Sequence, residues 1–286
     1  MPVEPPIVSP RDLSEAFGLL SSDSFRPIAG GTDVMVQLTG EIGDPPERMI
    51  DLWRLEELRG ISLDGDELVI GALATYTDIR RSELCRERLP ALAEAAATIG
   101  AAQIQNRGTL GGNIANASPA GDTLPVLLAT DAEVVAGSAR GERRIPAMDF
   151  WVAYRRTALA PDELVLGVRI PLSPARQVRF RKVGTRRAQA ISKVVMALGW
   201  HAESASGAPW TDVRLALGSV ADRPIRALAT EAALEGRLPT AETADRAAQV
   251  LAGELHPIDD VRSSAEYRRV VAARVLHRLL RDAGGW

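Results

Sequence analysis

The sequence predicts an α+β chain with a small second domain, and three observations lead there. Strand and helix candidates succeed one another between glycine turns up to a break at Pro171-Leu172-Ser173-Pro174. Beyond the break, two long apolar strand candidates come first and three helical stretches follow, sheet before helices. A chain of 286 residues with 46% hydrophobic content can also bury one large core or two ordinary ones.

Each element has a local cause. Ser9-Pro10 offers an N-cap and a first helical residue for an amphipathic helix carrying Leu13, Ala16, Phe17 and Leu20. Arg26-Pro27-Ile28 leads through a short strand and a glycine turn to a helix start with Asp33 in its first turn. Arg48 to Leu52 and Leu68 to Ala72 read as strands, with Asp64-Gly65-Asp66 turning into the second. Thr75 or Thr77 caps the next helix, and the Ala-rich helix from Pro90 to Ile99 stops at Gly100. Leu124 to Ala129 is a short apolar helix; Ala132 to Ala136 and Leu164 to Ile170 are strands. In the second part, strands over Ile191–Ala202 and Val213–Val220 flank a Gly/Ser/Pro loop, "ESASGAP". Helices then cover Ile225–Glu235, Ala241–Leu251 and Ala265–Ala283.

Composition narrows the function classes. A net charge of -3, with acidic and basic residues interleaved, gives no electrostatic footprint for nucleic acid. One cysteine, Cys85, excludes an internal disulfide, a Cys-ligated iron–sulfur cluster and a four-cysteine zinc site in this chain. As a lone helical thiol, Cys85 is expected to be inert packing. His201, His256 and His277 lack the spacing for a metal or a nucleophile, so no metal ligand and no catalytic residue is assigned. The Pro-rich, acidic start has no apolar h-region, and no run of 18 or more apolar residues suggests a membrane span. The expected location is cytoplasmic.

Two glycine segments carry the chemistry. Ala29-Gly30-Gly31-Thr32-Asp33 follows a short strand; paired glycines let backbone N–H groups converge on an anion, and Thr32 adds a hydroxyl. Alone, it is better explained as a plain turn between strand and helix. Gly108-Thr109-Leu110-Gly111-Gly112-Asn113 repeats the design, with amide side chains at Asn113 and Asn116. Two such loops suit the two phosphates of a dinucleotide, one loop per side. Neither is the G-x-G-x-x-G fingerprint, and no Walker Lys follows, so a Rossmann site and a P-loop fit poorly. Asp122-Thr123 places a carboxylate and a hydroxyl at a helix start, for a ligand or for capping alone. Arg107 is expected to have a structural role.

The segments "RPIAGGTDVMVQL", "QIQNRGTLGGNIANASPAGDTLPVLLATDAEV" and "YRRTALAPDELVLGVRIP" resemble the FAD-binding subunit of the molybdenum hydroxylases. That family includes the flavoprotein (medium) subunit of aerobic carbon monoxide dehydrogenase and the flavin domain of xanthine dehydrogenase. "FRKVGTRRAQAISKVVMAL" and "SSAEYRRVVAARVL" look like its C-terminal flavoprotein domain, so the resemblance spans nearly the whole chain. It implies the FAD-binding fold of p-cresol methylhydroxylase and vanillyl-alcohol oxidase, an α+β fold with two α/β subdomains, over about 1–56 and 57–172. A small C-terminal domain over 173–286, a three-stranded sheet plus helices, is implied to cover the flavin.

The resemblance also implies a cofactor set. Arg26, Pro27, Ile28, Ala29, Gly30, Gly31, Thr32 and Asp33 would form the first diphosphate loop, and Thr109, Leu110, Gly111, Gly112 and Asn113 the second. Asn116 and Asp122 would continue along the FAD, with Val165 and Lys182 at later contacts, Ile104 by the adenosine and Phe180 near the ring face. The implied function is a non-covalent FAD subunit of a heterotrimer. A 2Fe-2S small subunit would supply electrons, a molybdopterin large subunit would hold the substrate, and NAD, quinone or oxygen would accept. Two alternatives stand beside it: a free-standing flavin oxidoreductase of the same fold, and a non-catalytic assembly subunit.

Overall fold

The computed structural model of the chain describes residues 5–40, 44–186, 188–201 and 208–286. Most of the "ESASGAP" loop lies outside the described residues.

The chain opens with a three-stranded parallel sheet. Its strands are β1 (Ile7–Val8), β2 (Arg26–Ile28) and β3 (Met49–Asp51), in spatial order β1-β3-β2. Between them come α1 (Leu13–Ser22) and α2 (Val34–Thr39). Helix α1 starts later than Ser9-Pro10 suggested: the N-cap is Asp12, whose carboxylate accepts from the Glu15 amide.

A five-stranded antiparallel sheet follows, in order β4-β5-β10-β6-β7, built from β4 (Ile61–Asp64), β5 (Glu67–Gly71), β6 (Glu133–Ser138), β7 (Gly141–Pro146) and β10 (Leu164–Pro171). Gly65-Asp66 is the two-residue turn between β4 and β5. Helices α3 (Tyr76–Arg81), α4 (Glu83–Arg88), α5 (Pro90–Ala97), α6 (Ala102–Gln105), α7 (Leu110–Asn116) and α8 (Leu124–Ala129) lie between β5 and β6. The short α9 (Ala147–Phe150) leads into a hairpin of β8 (Trp151–Ala153) and β9 (Arg156–Thr157). Thr75, not Thr77, caps α3, in a capping box with Asp78. Cys85 is buried in α4, and burial raises its thiol pKa, as inert packing requires.

The third large sheet has the order β11-β12-β13-β14: β11 (Arg176–Val183), β12 (Val194–His201), β13 (Thr211–Gly218) and β14 (Ile225–Arg226). It therefore has four strands where three were expected. Ile225 pairs with Leu217 as an edge strand, so α10 (Leu228–Leu234) starts three residues later than the apolar pattern suggested. Helices α11 (Ala241–Glu254) and α12 (Ala265–Gly284) complete the chain. Among the described residues no helix is long and apolar enough to cross a membrane.

Strand β12 explains why its sequence is one unbroken apolar run. Side chains alternate faces along a strand. Val195 and Ala197 enter the core formed with α5 and α8, while Val194, Met196, Leu198 and Trp200 enter a second core with α11 and α12. Trp200 stacks on Trp210 in that second core at 4.3 Å between ring centroids. The C-terminal sheet is thus buried on both faces, and one face completes the core of the preceding helices. A β-carbon at Gly199 would lie 2.6 Å from the Ala129 carbonyl oxygen, so α8 seats against the bare backbone of β12.

An ion network closes the same seam. Asp131, just beyond α8, accepts from Arg214 Nε at 3.0 and 3.1 Å and from Arg226 at 3.2 Å, with Arg176 at 3.7 Å. All three arginines rise from the C-terminal sheet. Replacing Asp131 with Ala removes the shared counter-charge and is expected to cost about 1–2 kcal/mol. Urea unfolding checks this, and the loss should shrink in high salt, which screens the native network.

Candidate functional site

Two adjoining cavities occupy the cleft where the early helices meet the C-terminal sheet. The larger has about 1080 Å³ and the smaller about 360 Å³. Both are lined by Thr32, Asp33, Tyr76, Asn113, Asn116 and Arg155, so the two form one elongated site with a waist. That shape suits a long ligand with different chemistry at its two ends.

The first glycine segment lines the waist and the smaller cavity. After β2 the chain turns through Ala29 to Asp33 into α2. The turn is fixed from behind: a β-carbon at Gly30 would lie 1.7 Å from the Arg107 carbonyl oxygen, closer than any side chain permits. Gly31 has φ +76°, in the left-handed region that glycine adopts without strain. Asp33 is the residue before α2 and makes no side-chain cap bond. The amides of Gly30, Gly31, Thr32, Asp33 and Val34 find no acceptor among the described residues. Five consecutive N–H donors beside a cavity form an anion cradle.

The second glycine segment is built differently from expectation. Leu110–Asn116 is helix, not loop, and Thr109 is its N-cap. The Leu110 and Gly111 amides donate to the Ala74 and Ala72 carbonyls, both at 2.9 Å. The Gly112 amide donates to Thr109 Oγ1, and that of Asn113 to the Thr109 carbonyl. These four amides are therefore occupied within the chain. Gly111 is required by packing, since its β-carbon would come within 2.6 Å of the Ala72 side chain. At Gly112 a β-carbon would meet only Thr109 Oγ1, at 2.9 Å, so this glycine leaves the cavity wall low. Leu110 is 1% exposed and belongs to the core.

Asp122 and Lys182 meet in the wall of the larger cavity. Lys182 Nζ donates to Asp122 Oδ2 at 2.6 Å and to the Thr98 carbonyl at 3.0 Å; the side chains are 9% and 7% exposed for Lys182 and Asp122. Burial pushes the Asp122 pKa up, and Lys182 offsets only part of that. Asp122 Oδ1 is buried with no hydrogen-bond partner. An orphaned carboxylate oxygen in a cavity wall is a ready acceptor for a ligand N–H or O–H. Side-chain capping is not its role: Thr123 occupies the N-cap position of α8 without a side-chain cap bond, and its hydroxyl donates to Asn113 Oδ1 at 2.6 Å.

Arg26, Pro27, Ala29, Gly30, Gly31, Thr109, Gly111, Gly112 and Val165 line the smaller cavity, while Ile104, Asp122 and Lys182 line the larger. Ile28 lines neither; it sits in β2, paired with Asp51. Phe180 is buried in the core and also lines neither. Arg107 is structural, its guanidinium stacked 3.7 Å from the centroid of Trp53. Of the residues that line both cavities, two were not in the expected set, Tyr76 and Arg155. Tyr76 is the first residue of α3 and packs where a Gly108 β-carbon would be, 2.7 Å away. Arg155 stands at the tip of the β8–β9 hairpin. No spacing signal in the sequence marks either one.

Comparison with known proteins gives a consistent match along the chain. Residues 3–173 match the FAD binding domain in molybdopterin dehydrogenase, and residues 179–283 the CO dehydrogenase flavoprotein C-terminal domain. The chain is 32% identical to the glyceraldehyde dehydrogenase medium chain of Sulfolobus acidocaldarius, over 94% of this chain and 95% of that one. It is 30% identical to the xanthine dehydrogenase FAD-binding subunit of Escherichia coli O157:H7, over 96% and 95%. A solved structure of carbon monoxide dehydrogenase from Hydrogenophaga pseudoflava superposes with a TM-score of 0.91 at 31% identity, covering 97% of this chain and 96% of that one.

The two glycine segments should respond differently to a single methyl group. Gly30→Ala must push the cradle off the Arg107 carbonyl, and FAD uptake by the purified variant is expected to fall by about tenfold or more. Gly112→Ala displaces only a hydroxyl and should keep uptake within about threefold of the parent, with a modest loss of stability. Equilibrium titration with FAD, followed by flavin fluorescence, checks both.

Proposed function

The chain belongs to the family of FAD-binding flavoprotein subunits of molybdopterin dehydrogenases, and we propose that it is the electron-transfer subunit of such a complex. On this proposal it holds FAD non-covalently, takes electrons from 2Fe-2S clusters in a small partner subunit, and delivers them to an external acceptor. A large partner subunit carries the molybdopterin and the organic substrate. The observation that carries the proposal is the row of five free amides from Gly30 to Val34, set beside an elongated cleft.

The residues fit FAD on grounds of their own. A dinucleotide brings two negative phosphates, and a turn of unpaired N–H groups binds anions without a basic side chain. The orphaned Asp122 Oδ1 awaits a donor, and hydroxyls and a ring N–H along the flavin end of FAD are donors. Bound FAD would supply a centre that exchanges electrons singly or in pairs, joining one-electron clusters to a two-electron acceptor.

The chain's own residues then have binding and positioning tasks. Gly30 to Val34 would hold the diphosphate, with the Thr32 hydroxyl beside it. Asn113 and Asn116 line the waist, where the cofactor would pass from one cavity to the other. Lys182 favours the charged form of the buried Asp122 and engages its Oδ2, which leaves Oδ1 as the unpaired acceptor. Tyr76 would form an apolar wall at the waist, its buried phenol held neutral. On this proposal none of these groups moves a proton from substrate.

A single cysteine separates this subunit from the clusters it would serve. The purified chain should therefore bind one equivalent of FAD, turn yellow, release it intact on denaturation, and contain no iron. Flavin absorbance of the acid extract and metal analysis check this. A colourless chain that takes up no added FAD overturns the proposal.

A further inference from the structure

Arg155 carries an unassigned function. It sits at φ +51°, a left-handed conformation uncommon for a side chain of its size, at the tip of the hairpin between Trp151–Ala153 and Arg156–Thr157. The hairpin is pinned to α7 at its base: Trp151 is buried and its Nε1 donates to the Ile114 carbonyl at 3.1 Å. At its tip, Arg155 Nη1 donates to Asn116 Oδ1 at 3.0 Å, two residues further along the same helix. Both ends of the hairpin are thus fastened to α7, and the guanidinium is held at the waist of the cleft.

Its electrostatic setting differs from that of other cations there. Lys182 pairs with Asp122, and Arg262 and Arg268 pair with Asp260. Arg26, which like Arg155 has no carboxylate partner among the described residues, lines only the smaller cavity. Among the described residues Arg155 has no carboxylate partner, and it is the cation that lines both cavities. Its one hydrogen bond leaves the other guanidinium donors free. A cation kept in a costly backbone conformation, anchored but unneutralised, is placed to meet an anion. A ligand anion held by the Gly30–Val34 amides would lie in the same waist, which Thr32 and Asp33 line together with Arg155.

We propose that Arg155 is a cation strap that closes over the FAD diphosphate from the hairpin side, completing an anion site whose other part is the Gly30–Val34 backbone. This rests on the FAD assignment above. It adds the charge that the amides lack, and it makes the strap selective for the phosphate-bearing cofactor over the bare flavin. Asn116 is then a positioning residue, which aims the guanidinium through its carboxamide oxygen.

The test uses the full chain with FAD removed, in wild-type form and as Arg155→Gln, Arg155→Lys and Arg156→Gln. Arg156 is exposed, lies one residue on, and lines neither cavity. FAD affinity is read from flavin fluorescence at low and high salt, with riboflavin as a probe that has no phosphate and ADP as a competitor of FAD binding. Arg155→Gln should weaken FAD by about tenfold or more. It should also flatten the salt dependence, weaken ADP competition to a similar extent, and leave riboflavin unchanged. Arg155→Lys should recover part of the loss, and Arg156→Gln should match the wild type. Wild-type FAD affinity in Arg155→Gln overturns the strap, as does an equal loss of riboflavin binding. If the wild type itself takes up no FAD, it is the underlying assignment that fails, and the strap with it.

Discussion

Everything in the cleft depends on one backbone contact: the turn at Gly30 lies directly on the carbonyl of Arg107. The contact joins the first glycine segment, at the end of the parallel sheet, to the turn that introduces α7. It is possible only without a side chain at Gly30, and it holds the following amides away from any acceptor of their own. The Arg107 side chain, stacked on Trp53, steadies the other partner of the contact. These five residues are half-buried or exposed along the cavity, so their N–H groups are open to solvent and available to an anion that enters the cleft.

The second constraint lies across the cleft and is electrostatic. Asp122 and Lys182 come from different layers of the fold, and their pairing makes the C-terminal sheet part of the cavity wall. Burying two charges is costly unless the geometry is good and the remaining polar atoms are satisfied. Lys182 meets that condition with two acceptors, whereas Asp122 keeps one oxygen unpaired. The docking of β12 on α8 and the Asp131 network hold the C-terminal sheet against the helix that follows Asp122.

Much of the fold was legible because its signals are local: the apolar helix at Leu124, the Gly65-Asp66 turn and the apolar strand that is now β10. The exceptions have physical causes. Two residues of β14 are too short to show a period, and Ile225 reads as helix until Leu217 is seen beside it. Leu110-Gly111-Gly112-Asn113 looks like a loop because two adjacent glycines disfavour helix. The Thr109 cap and the close approach to Ala72 override that preference. In the site, residue types were legible but donor status was not. The two glycine segments look equivalent in sequence, yet one has its amides occupied and the other has them free. Arg155 and Tyr76 carry no spacing signal, since tertiary contacts alone bring them to the waist.

The account's central claim is that the Gly30–Val34 amides, and not those of the second segment, hold the FAD diphosphate. Amide hydrogen exchange of the full chain, with FAD removed and then restored, tests it most directly. Gly30 to Val34 should exchange fast without FAD and become strongly protected with it. Leu110 to Asn113, already hydrogen-bonded, should change little. If FAD binds and the Gly30–Val34 amides keep exchanging at the unliganded rate, the diphosphate lies elsewhere and the account is wrong.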